Sequence, residues 1–336
     1  MKILENVPIA NLTTMRLGGN ARYVIEVETM QEVPRAYDFA YEKELPVFIL
    51  GGGANTIGRD EGYPGVIIVN KIEGIFVDGD EVRAMGGEKW DDVVEAACMH
   101  GLSGIEAMSA IPGTVGAAPV QNIGAYGQDI SQTIASVEAF DTEARKIVTI
   151  SKAGMKMRYR QTIFNTEMPG RYFIVSVTLK LNANAELHPP FYTSLQKYID
   201  EHHVQNFSPM NIRRIVCEIR ANKLPDPATT ASAGSFFKNL IVNDEIAARA
   251  EEAGIPVYRK PGENKINTGW LIEAAGLKGR QLHGFYVSDK AALVLINEYA
   301  HTYAELAAAR AEICQTIKDK FGFTLEQEPV EITVKE

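Results

Sequence analysis

Two distant segments of this sequence carry side chains that could bind and protonate an anion. In residues 231–239 the hydroxyl of Ser235 precedes two aromatic residues, a cation and an amide, a combination that an ordinary turn does not require. Residues 155–160 carry cations and a phenol, which can form charge-assisted hydrogen bonds to a carboxylate or a phosphate. From the local sequence alone, a basic surface loop explains residues 155–160 equally well.

A third segment, near the carboxyl end of the chain, contains two carboxylates. Residues 325–329 have a strand-like pattern, and alternation along a strand would turn Glu326 and Glu328 to the same side. Exposed acidic residues of a tail give the same pattern, and for this segment taken alone that is the better interpretation.

A long glycine-rich run, residues 109–127, predicts a surface built mostly from main chain. Its glycines alternate with alanines and two prolines, so the backbone can adopt left-handed angles while few side chains block an approaching ligand. Its larger apolar residues suit a packed wall and not a solvated linker. The run therefore predicts a cradle for a large, flat cofactor, and tight turns in an ordinary core are the alternative.

A shorter glycine run follows a predicted βαβ unit. Residues 23–28 alternate as a strand, residues 30–44 have helical spacing, and residues 46–50 form a short buried strand. Residues 51–55 come directly after it, and a glycine turn in this place exposes N–H groups that can bind a phosphate. A plain tight turn is the alternative for a lone glycine triplet.

The remaining pattern predicts two further units. Short strands and a helix at residues 89–100 make residues 65–183 one α+β unit that carries the cradle. Two helices, at residues 194–202 and 211–221, follow, and the second ends before two prolines. A separate α/β unit is predicted from helices at residues 243–253, 268–275 and 302–321 and an apolar strand at residues 291–297.

Composition excludes several classes of protein. The 336 residues include 34 Lys and Arg against 43 Asp and Glu, a net charge of −9 that argues against nucleic acid or an anionic membrane as the main partner. Cys98, Cys217 and Cys314 are odd in number and far apart, which is typical of a reducing compartment. No metal-ligand spacing, signal peptide or membrane span is recognised, so we expect a cytoplasmic protein without a metal.

Taken in chain order, these motifs resemble the UDP-N-acetylenolpyruvoylglucosamine reductase family, in the form with a tyrosine-bearing loop. The resembling segments cover nearly the whole chain: residues 14–19, 51–55, 111–116, 121–127, 159–164, 223–227, 234–239, 269–273 and 325–328. The chain departs from the family at Ala54, Ala110 and Leu240. The tail departs more, because the family commonly reads Leu-Glu-Pro-Glu-Val-Arg where this chain has Gln327, Pro329 and Val330.

The resemblance implies an α+β fold, with an FAD-binding fold of the vanillyl-alcohol oxidase type in two subdomains and a C-terminal α/β substrate-binding domain. We expect residues 1–66, joined by the tail 322–336, to form the first subdomain. Residues 67–205 would form the second subdomain and residues 206–321 the substrate-binding domain.

The implied cofactors are bound FAD and NADPH as the hydride donor. The FAD pyrophosphate is expected on the glycine turn, at Gly51, Gly52, Gly53, Ala54 and Asn55. The flavin and its ribityl chain are expected along Ile111, Pro112, Gly113, Thr114, Gly116, Ala117, Gln121, Asn122, Gly124, Ala125, Tyr126 and Gly127.

The implied activity is reduction of UDP-N-acetylglucosamine enolpyruvate to UDP-N-acetylmuramate, in peptidoglycan precursor synthesis, by a monomer. Arg160, Ser235 and Glu328 match the family's catalytic positions. Arg160 would hold the substrate carboxylate, Ser235 would supply a proton, and Glu328, if protonated, would hydrogen-bond the enolate. Substrate-binding residues are expected at Tyr159, Tyr192, Lys223, Lys238 and Asn239, with Lys223 at the diphosphate and Lys238 also assisting Ser235.

Two other functions stay open on the sequence. The altered tail suggests a binding protein that kept a flavin or sugar-nucleotide pocket and lost turnover. A flavin oxidase of the wider superfamily, with another substrate, is the third possibility.

Overall fold

The computed structural model describes residues 1–183, 187–189, 191–260 and 262–334. Within them the chain has mixed helix and strand content, with separate sheets in its amino-terminal, middle and carboxyl-terminal parts. No helix in these ranges has both the length and the apolar character needed to cross a membrane.

The amino-terminal part contains a four-stranded sheet, and the glycine turn, residues 51–55, directly follows one of its strands. Its elements are β1 (Lys2–Pro8), β2 (Asn20–Val27), α1 (Glu32–Glu42), β3 (Val47–Leu50), β4 (Thr56–Gly58) and β5 (Tyr63–Asn70). The sheet order is β1-β2-β5-β3, with β2 and β3 both parallel to β5. The predicted βαβ unit is confirmed, and α1 packs Val33 and Ala36 against this sheet.

The middle part is a five-stranded antiparallel sheet, in the order β12-β11-β13-β7-β6, and the helix within this part packs against it. Its elements are β6 (Ile75–Asp78), β7 (Glu81–Met85), α2 (Trp90–Met99), β8 (Leu102–Ser103), β9 (Gly124–Ala125), β10 (Gln128–Asp129), β11 (Ile134–Asp141), β12 (Lys146–Ser151), β13 (Tyr172–Lys180) and β14 (Asn182–Ala183). The sequence placed residues 66–70 in this unit, but they belong to β5 of the first sheet.

Two helices connect the middle and carboxyl-terminal parts: α3 (Thr193–Glu201) and α4 (Pro209–Lys223). Helix α4 starts with Ser208 as N-cap and a proline in its first turn, and it ends before Leu224-Pro225, where proline prevents continuation. It packs on α2, and Arg213 forms an ion pair with Asp91 of α2 at 2.6 Å.

The carboxyl-terminal part contains a four-stranded sheet, β15-β21-β20-β19, and a three-stranded sheet, β16-β18-β17. Its elements are β15 (Ser232–Ser235), β16 (Leu240–Val242), α5 (Asp244–Glu252), β17 (Val257–Lys260), β18 (Glu263–Ile266), α6 (Thr268–Ala274), β19 (Gln281–Leu282), β20 (Phe285–Val287), β21 (Val294–Asn297), α7 (Tyr303–Phe321) and β22 (Val330–Ile332). The strand predicted at residues 291–297 starts later, at Val294, because a turn bonds the Val294 N–H to the Ala291 carbonyl.

The tail returns to the amino-terminal part. Strand β22 pairs in parallel with β4, and just before it Gln327 bridges to Phe237. Residues 335–336 of the expected tail lie outside the described residues. The tail therefore connects the carboxyl-terminal part of the chain to the segment that follows the glycine turn.

The glycine turn predicts a stability difference between two glycine-to-alanine variants. Gly53 has a φ of 65°, and a Cβ there would lie 2.0 Å from the Leu12 carbonyl oxygen, whereas Gly79 has a φ of 60° and open space around it. Gly79→Ala should lower the free energy of unfolding only by the left-handed backbone strain, about 1–2 kcal/mol. Gly53→Ala should lower it by clearly more, because its Cβ would also clash with the Leu12 carbonyl. Urea unfolding of both variants checks this expectation, and equal losses would contradict it.

Candidate functional site

One cavity of about 550 Å³ lies where the glycine turn, the cradle, α4 and β15 meet. Its wall includes these sequence-predicted cofactor residues: Gly51, Gly52, Gly53, Ala54, Asn55, Ile111, Pro112, Gly113, Thr114, Ala117, Gln121 and Gly124. It also includes Arg160, Ser235 and Glu328, so the glycine-rich wall and the three candidate catalytic residues share one site.

The glycine turn and the cradle touch each other through main chain. A Cβ on Gly51 would lie 2.5 Å from Thr114 Oγ1, and one on Gly52 would lie 2.9 Å from the Cα of Gly113. Larger residues would push the two segments apart. The absence of Cβ atoms therefore fixes the width of the cavity at this end.

Five residues of the cradle that were expected along the flavin do not line the cavity. They are Gly116, Asn122, Ala125, Tyr126 and Gly127. Gly116 packs against the sheet, bonding through its N–H to the Gly86 carbonyl at 2.8 Å. Asn122 is buried, and its side chain bonds the Arg158 carbonyl and the Ser131 N–H, both at 3.1 Å.

Arg160 projects from a tight turn and is held by the cradle. Its φ of 55° follows from a turn in which the Arg158 N–H bonds the Gln161 carbonyl at 2.8 Å. Its Nη1 donates to the Asn122 carbonyl at 3.1 Å, and its Nη2 donates to the Gly124 carbonyl at 3.3 Å. These bonds fix the guanidinium with its Nε directed at the Glu328 carboxylate.

Glu328 lies opposite this guanidinium. Its Oε1 is 2.8 Å from Arg160 Nε, and its side chain is 9% exposed. Burial raises the pKa of Glu328, and the nearby charges of Arg160 and Lys238 offset part of that increase. Glu326, by contrast, is 69% exposed and pairs with Lys238, so the structure places Glu328, and not Glu326, in the cavity wall.

Ser235 reaches the same cavity from the end of β15. The strand starts with two bonds to Thr14: the Ser232 N–H donates to the Thr14 carbonyl at 3.0 Å, and Thr14 Oγ1 donates to the Ser232 carbonyl at 2.6 Å. Phe236 and Phe237 are fully buried behind Ser235. Its hydroxyl makes no hydrogen bond to any described residue and is exposed to the cavity.

The residues expected to bind the substrate lie outside the cavity wall. They are Tyr159, Tyr192, Lys223, Lys238 and Asn239. Tyr159 and Asn239 lie together, because the Tyr159 hydroxyl accepts from the Asn239 N–H at 3.3 Å. Tyr192 packs edge-on against Tyr126, with ring centroids 5.9 Å apart, and is 47% exposed. Lys223 is exposed at the end of α4, and Lys238 is engaged by Glu326, not by Ser235.

Known proteins match both halves of this arrangement. Residues 21–151 match the model of an FAD binding domain, and residues 226–332 match that of the UDP-N-acetylenolpyruvoylglucosamine reductase C-terminal domain. The chain is 36% identical to the UDP-N-acetylenolpyruvoylglucosamine reductase of Chromobacterium violaceum, over 98% of this chain and 99% of that protein. The chain belongs to the UDP-N-acetylenolpyruvoylglucosamine reductase family. The reductase of Ralstonia nicotianae is also 36% identical, over 99% of this chain and 100% of its own length.

A solved structure shares the fold of this chain. The crystal structure of the UDP-N-acetylenolpyruvylglucosamine reductase from Thermus caldophilus has a TM-score of 0.69 and 23% identity, covering 98% of this chain and 99% of that one. The expected fold, an FAD-binding part followed by the family's C-terminal domain, is confirmed by these matches.

The cavity fits the FAD that this family assignment implies. Thr114 Oγ1 and Arg220 Nε, two buried polar atoms of residues in the cavity wall, have no hydrogen-bond partner among the described residues. Hydroxyl and guanidinium donors without acceptors are costly unless a ligand supplies acceptors, as a pyrophosphate or a flavin carbonyl does. Together with the glycine wall, they provide the donors and the shape that a dinucleotide needs.

Sequence reasoning missed Arg220. It lies seven residues after Arg213 on the same side of α4, with Cys217 between them, and both Cys217 and Arg220 line the cavity. Arg220 contacts the Tyr126 hydroxyl but forms no ion pair with a described carboxylate, and burial lowers its pKa. A single arginine on an amphipathic helix resembles a solvated residue, so only the three-dimensional position of α4 reveals it.

The position of Arg220 predicts a loss of cofactor affinity when it is replaced. Arg220→Met removes a charged donor from the cavity, so FAD should bind about 10- to 100-fold more weakly, the equivalent of about 1.5–3 kcal/mol. The apoprotein should not be destabilised, because the lost charge has no carboxylate partner. Fluorescence titration of apoprotein with FAD measures the effect.

The exposed Arg214, which donates to the Asn211 side chain of the same helix, provides the matched control as Arg214→Met. This control should bind FAD with unchanged affinity. Equal affinities of the Arg214 and Arg220 variants would show that the buried Nε contributes nothing to cofactor binding.

Proposed function

We propose that this chain catalyses the NADPH-dependent reduction of UDP-N-acetylglucosamine enolpyruvate to UDP-N-acetylmuramate, a step of peptidoglycan precursor synthesis. Membership of the reductase family supports the overall reaction. The single observation that carries the assignment of residues is the convergence of Arg160, Ser235 and Glu328 on a cavity with a glycine wall.

FAD, when bound, supplies two-electron transfer between NADPH and the substrate double bond. The N–H groups of the glycine turn and the Thr114 hydroxyl would hold its pyrophosphate, and Arg220 would donate to an oxygen of the cofactor. The cradle from Ile111 to Gly113 would lie against the flat ring, because this stretch lines the cavity beside the glycine turn.

Arg160 is positioned to hold the substrate carboxylate. Its two terminal nitrogens are already oriented by carbonyls of the cradle, so the cation needs no reorganisation during the reaction. Reduction of the vinyl group leaves negative charge beside that carboxylate, and a fixed guanidinium stabilises it. Loss of one such donor typically costs about 10²–10³ in rate.

Ser235 and Glu328 divide the proton chemistry. The Ser235 hydroxyl faces the cavity without a described hydrogen-bond partner, so it is free to deliver a proton to the carbon that acquires negative charge. The substrate carboxylate would compete with Glu328 for Arg160. Glu328 would then lose part of its compensating charge, and its protonated form could donate a hydrogen bond to the enolate oxygens.

We propose that the substrate's nucleotide is bound beside this centre. Tyr159, Lys238 and Asn239 are adjacent to the Arg160 turn, and the ammonium of Lys265 lies 4.5 Å from the Tyr159 ring centroid. Tyr192 packs against Tyr126 of the cradle, where a closing loop would be needed. Lys223 lies at the end of α4, where a diphosphate would need a cation.

The expected three-domain division is retained in this proposal with two boundaries moved. Strand β5 keeps the first sheet together up to Asn70, and α4 packs on α2 of the second unit. Residues 1–70 with the tail, 71–223 and 224–321 are thus the three units that the sheets support. We also propose a monomeric protein of the cytoplasm. The free cysteines fit a reducing compartment, and the net charge of −9 disfavours binding to anionic membranes.

Single-turnover kinetics test the catalytic assignments. Ser235→Ala should leave reduction of FAD by NADPH nearly unchanged and slow reoxidation by the enolpyruvyl sugar by orders of magnitude, because the proton donor acts only in the second half-reaction. Arg160→Lys should also slow reoxidation strongly, since an ammonium cannot reproduce the planar fork. Equal losses in both half-reactions would contradict these roles.

Calorimetry tests the protonation of Glu328. Product binding at Arg160 should raise the pKa of Glu328 further. Between the pKa of Glu328 in the free protein and its pKa in the product complex, binding should therefore take up protons. At pH values above both or below both, no uptake is expected. Titrations with UDP-N-acetylmuramate in buffers of different ionisation enthalpy measure this uptake. Glu328→Gln should abolish it, and uptake that persists in this variant would assign the proton to another group.

The same single-turnover experiment separates the rival functions. A binding protein without turnover would keep its flavin reduced after the enolpyruvyl sugar is added. An oxidase would consume oxygen rapidly without any sugar nucleotide. Neither rival requires a serine, an arginine and a buried carboxylate at one cavity.

A further inference from the structure

We infer that Gln327 is a positioning residue for Glu328: its side-chain amide fixes the tail in the register that sets the Glu328 carboxylate beside Arg160. This inference rests on the proposed function, because it assumes that Glu328 acts when the enolpyruvyl sugar is reduced. Gln327 itself faces away from the cavity and does not touch the site.

The tail changes its strand partner within three residues. The Glu328 N–H bonds the Phe236 carbonyl at 2.9 Å, and the Val330 N–H bonds the Asn55 carbonyl at 2.9 Å. Between them Pro329 has no N–H to donate. The Asn55 side-chain amide also donates to the Glu328 carbonyl at 3.4 Å. Main-chain bonds therefore fix Glu328 and Val330 but not Pro329 between them, and the orientation of Glu328 also depends on the path of the tail at Pro329.

The side chain of Gln327 spans the switch. Its Nε2 donates to the Pro329 carbonyl at 2.8 Å and to Glu331 Oε1 at 3.3 Å. Its Oε1 accepts from Arg310 Nη1 at 2.6 Å. One amide thus connects the residues on both sides of Glu328 to helix α7, on the face opposite the cavity.

The anchor beyond Gln327 is itself fixed. Glu331 lies 2.9 Å from Arg310 Nη1 and 3.0 Å from Arg59 Nε, and it accepts a hydrogen bond from the Tyr303 hydroxyl at 2.7 Å. Burial opposes ionisation of Glu331, but the hydrogen bonds from Tyr303 and Arg310 outweigh it and lower its pKa. Asp60 accepts from the Tyr303 N–H at 2.6 Å, which ties α7 to the β4–β5 connection. Gln327 therefore bonds to a rigid cluster and not to a mobile surface.

A double-mutant cycle distinguishes positioning from a general loss of stability. Gln327→Leu should leave FAD reduction by NADPH within about twofold and slow reoxidation by the enolpyruvyl sugar about tenfold or more. In a Glu328→Gln background the same change should slow reoxidation by no more than about twofold, because the group being positioned is already lost. Slowing by the same factor in both backgrounds, or no slowing in either, would overturn the inference.

Two further variants keep the test decisive. Gln327→Glu retains the acceptor for Arg310 but loses the donor to Pro329, so it should also slow reoxidation. If Gln327→Leu does not fold, a wild-type rate of reoxidation in Gln327→Glu would contradict the inference. Asn243→Ala removes the N-cap of α5, where the Asn243 Oδ1 accepts from the Ile246 N–H at 2.9 Å, and should lower the urea midpoint of unfolding without changing reoxidation. If the wild-type flavin is not reoxidised by the enolpyruvyl sugar, the proposed function fails instead.

Discussion

A buried ion pair is the interaction on which the rest of the site depends. Arg160 and Glu328 meet at 2.8 Å with side chains that are 18% and 9% exposed. Removing such charges from water costs several kcal/mol per ion, so the pair persists only where neighbours hold both partners in good geometry. Carbonyls of the cradle hold Arg160, and strand pairing with Phe236 holds Glu328. One interaction thereby links the cradle, the end of β15 and the tail.

The pair also explains why the site can respond to a ligand. Burial favours the neutral form of Glu328, whereas Arg160 favours its anion, so the carboxyl is held between two opposing effects. A ligand carboxylate that pairs with Arg160 would remove one of them. A glutamate in water could not respond in this way, because solvent screening would leave little coupling to its neighbour.

The sequence predicted the parts of this site that depend on local residue type. The glycine turn, the cradle and Ser235 were recognisable because each needs an unusual local composition, and all three reach the cavity. Long-range geometry was not recognisable. Arg220 and the pairing of Lys238 with Glu326 depend on how distant segments meet, and β5 joins the first sheet through parallel pairing, which periodicity cannot assign.

The tail differs from the family pattern, but it still holds Glu328 beside Arg160 at the cavity. This geometry favours a catalytic site over a binding site without turnover. Alternation turns Glu328 to the cavity and Gln327 to α7, while Val330 is 48% exposed in β22. The departures of the tail from the family pattern, at Gln327, Pro329 and Val330, therefore fall on residues that do not line the cavity wall. The tail lacks the family's basic residue, but the arginine facing Glu328 comes from a different segment, residues 158–161, which a change in the tail leaves intact. A rearranged tail can thus hold its carboxylate at the same cation, provided that its outer face is anchored.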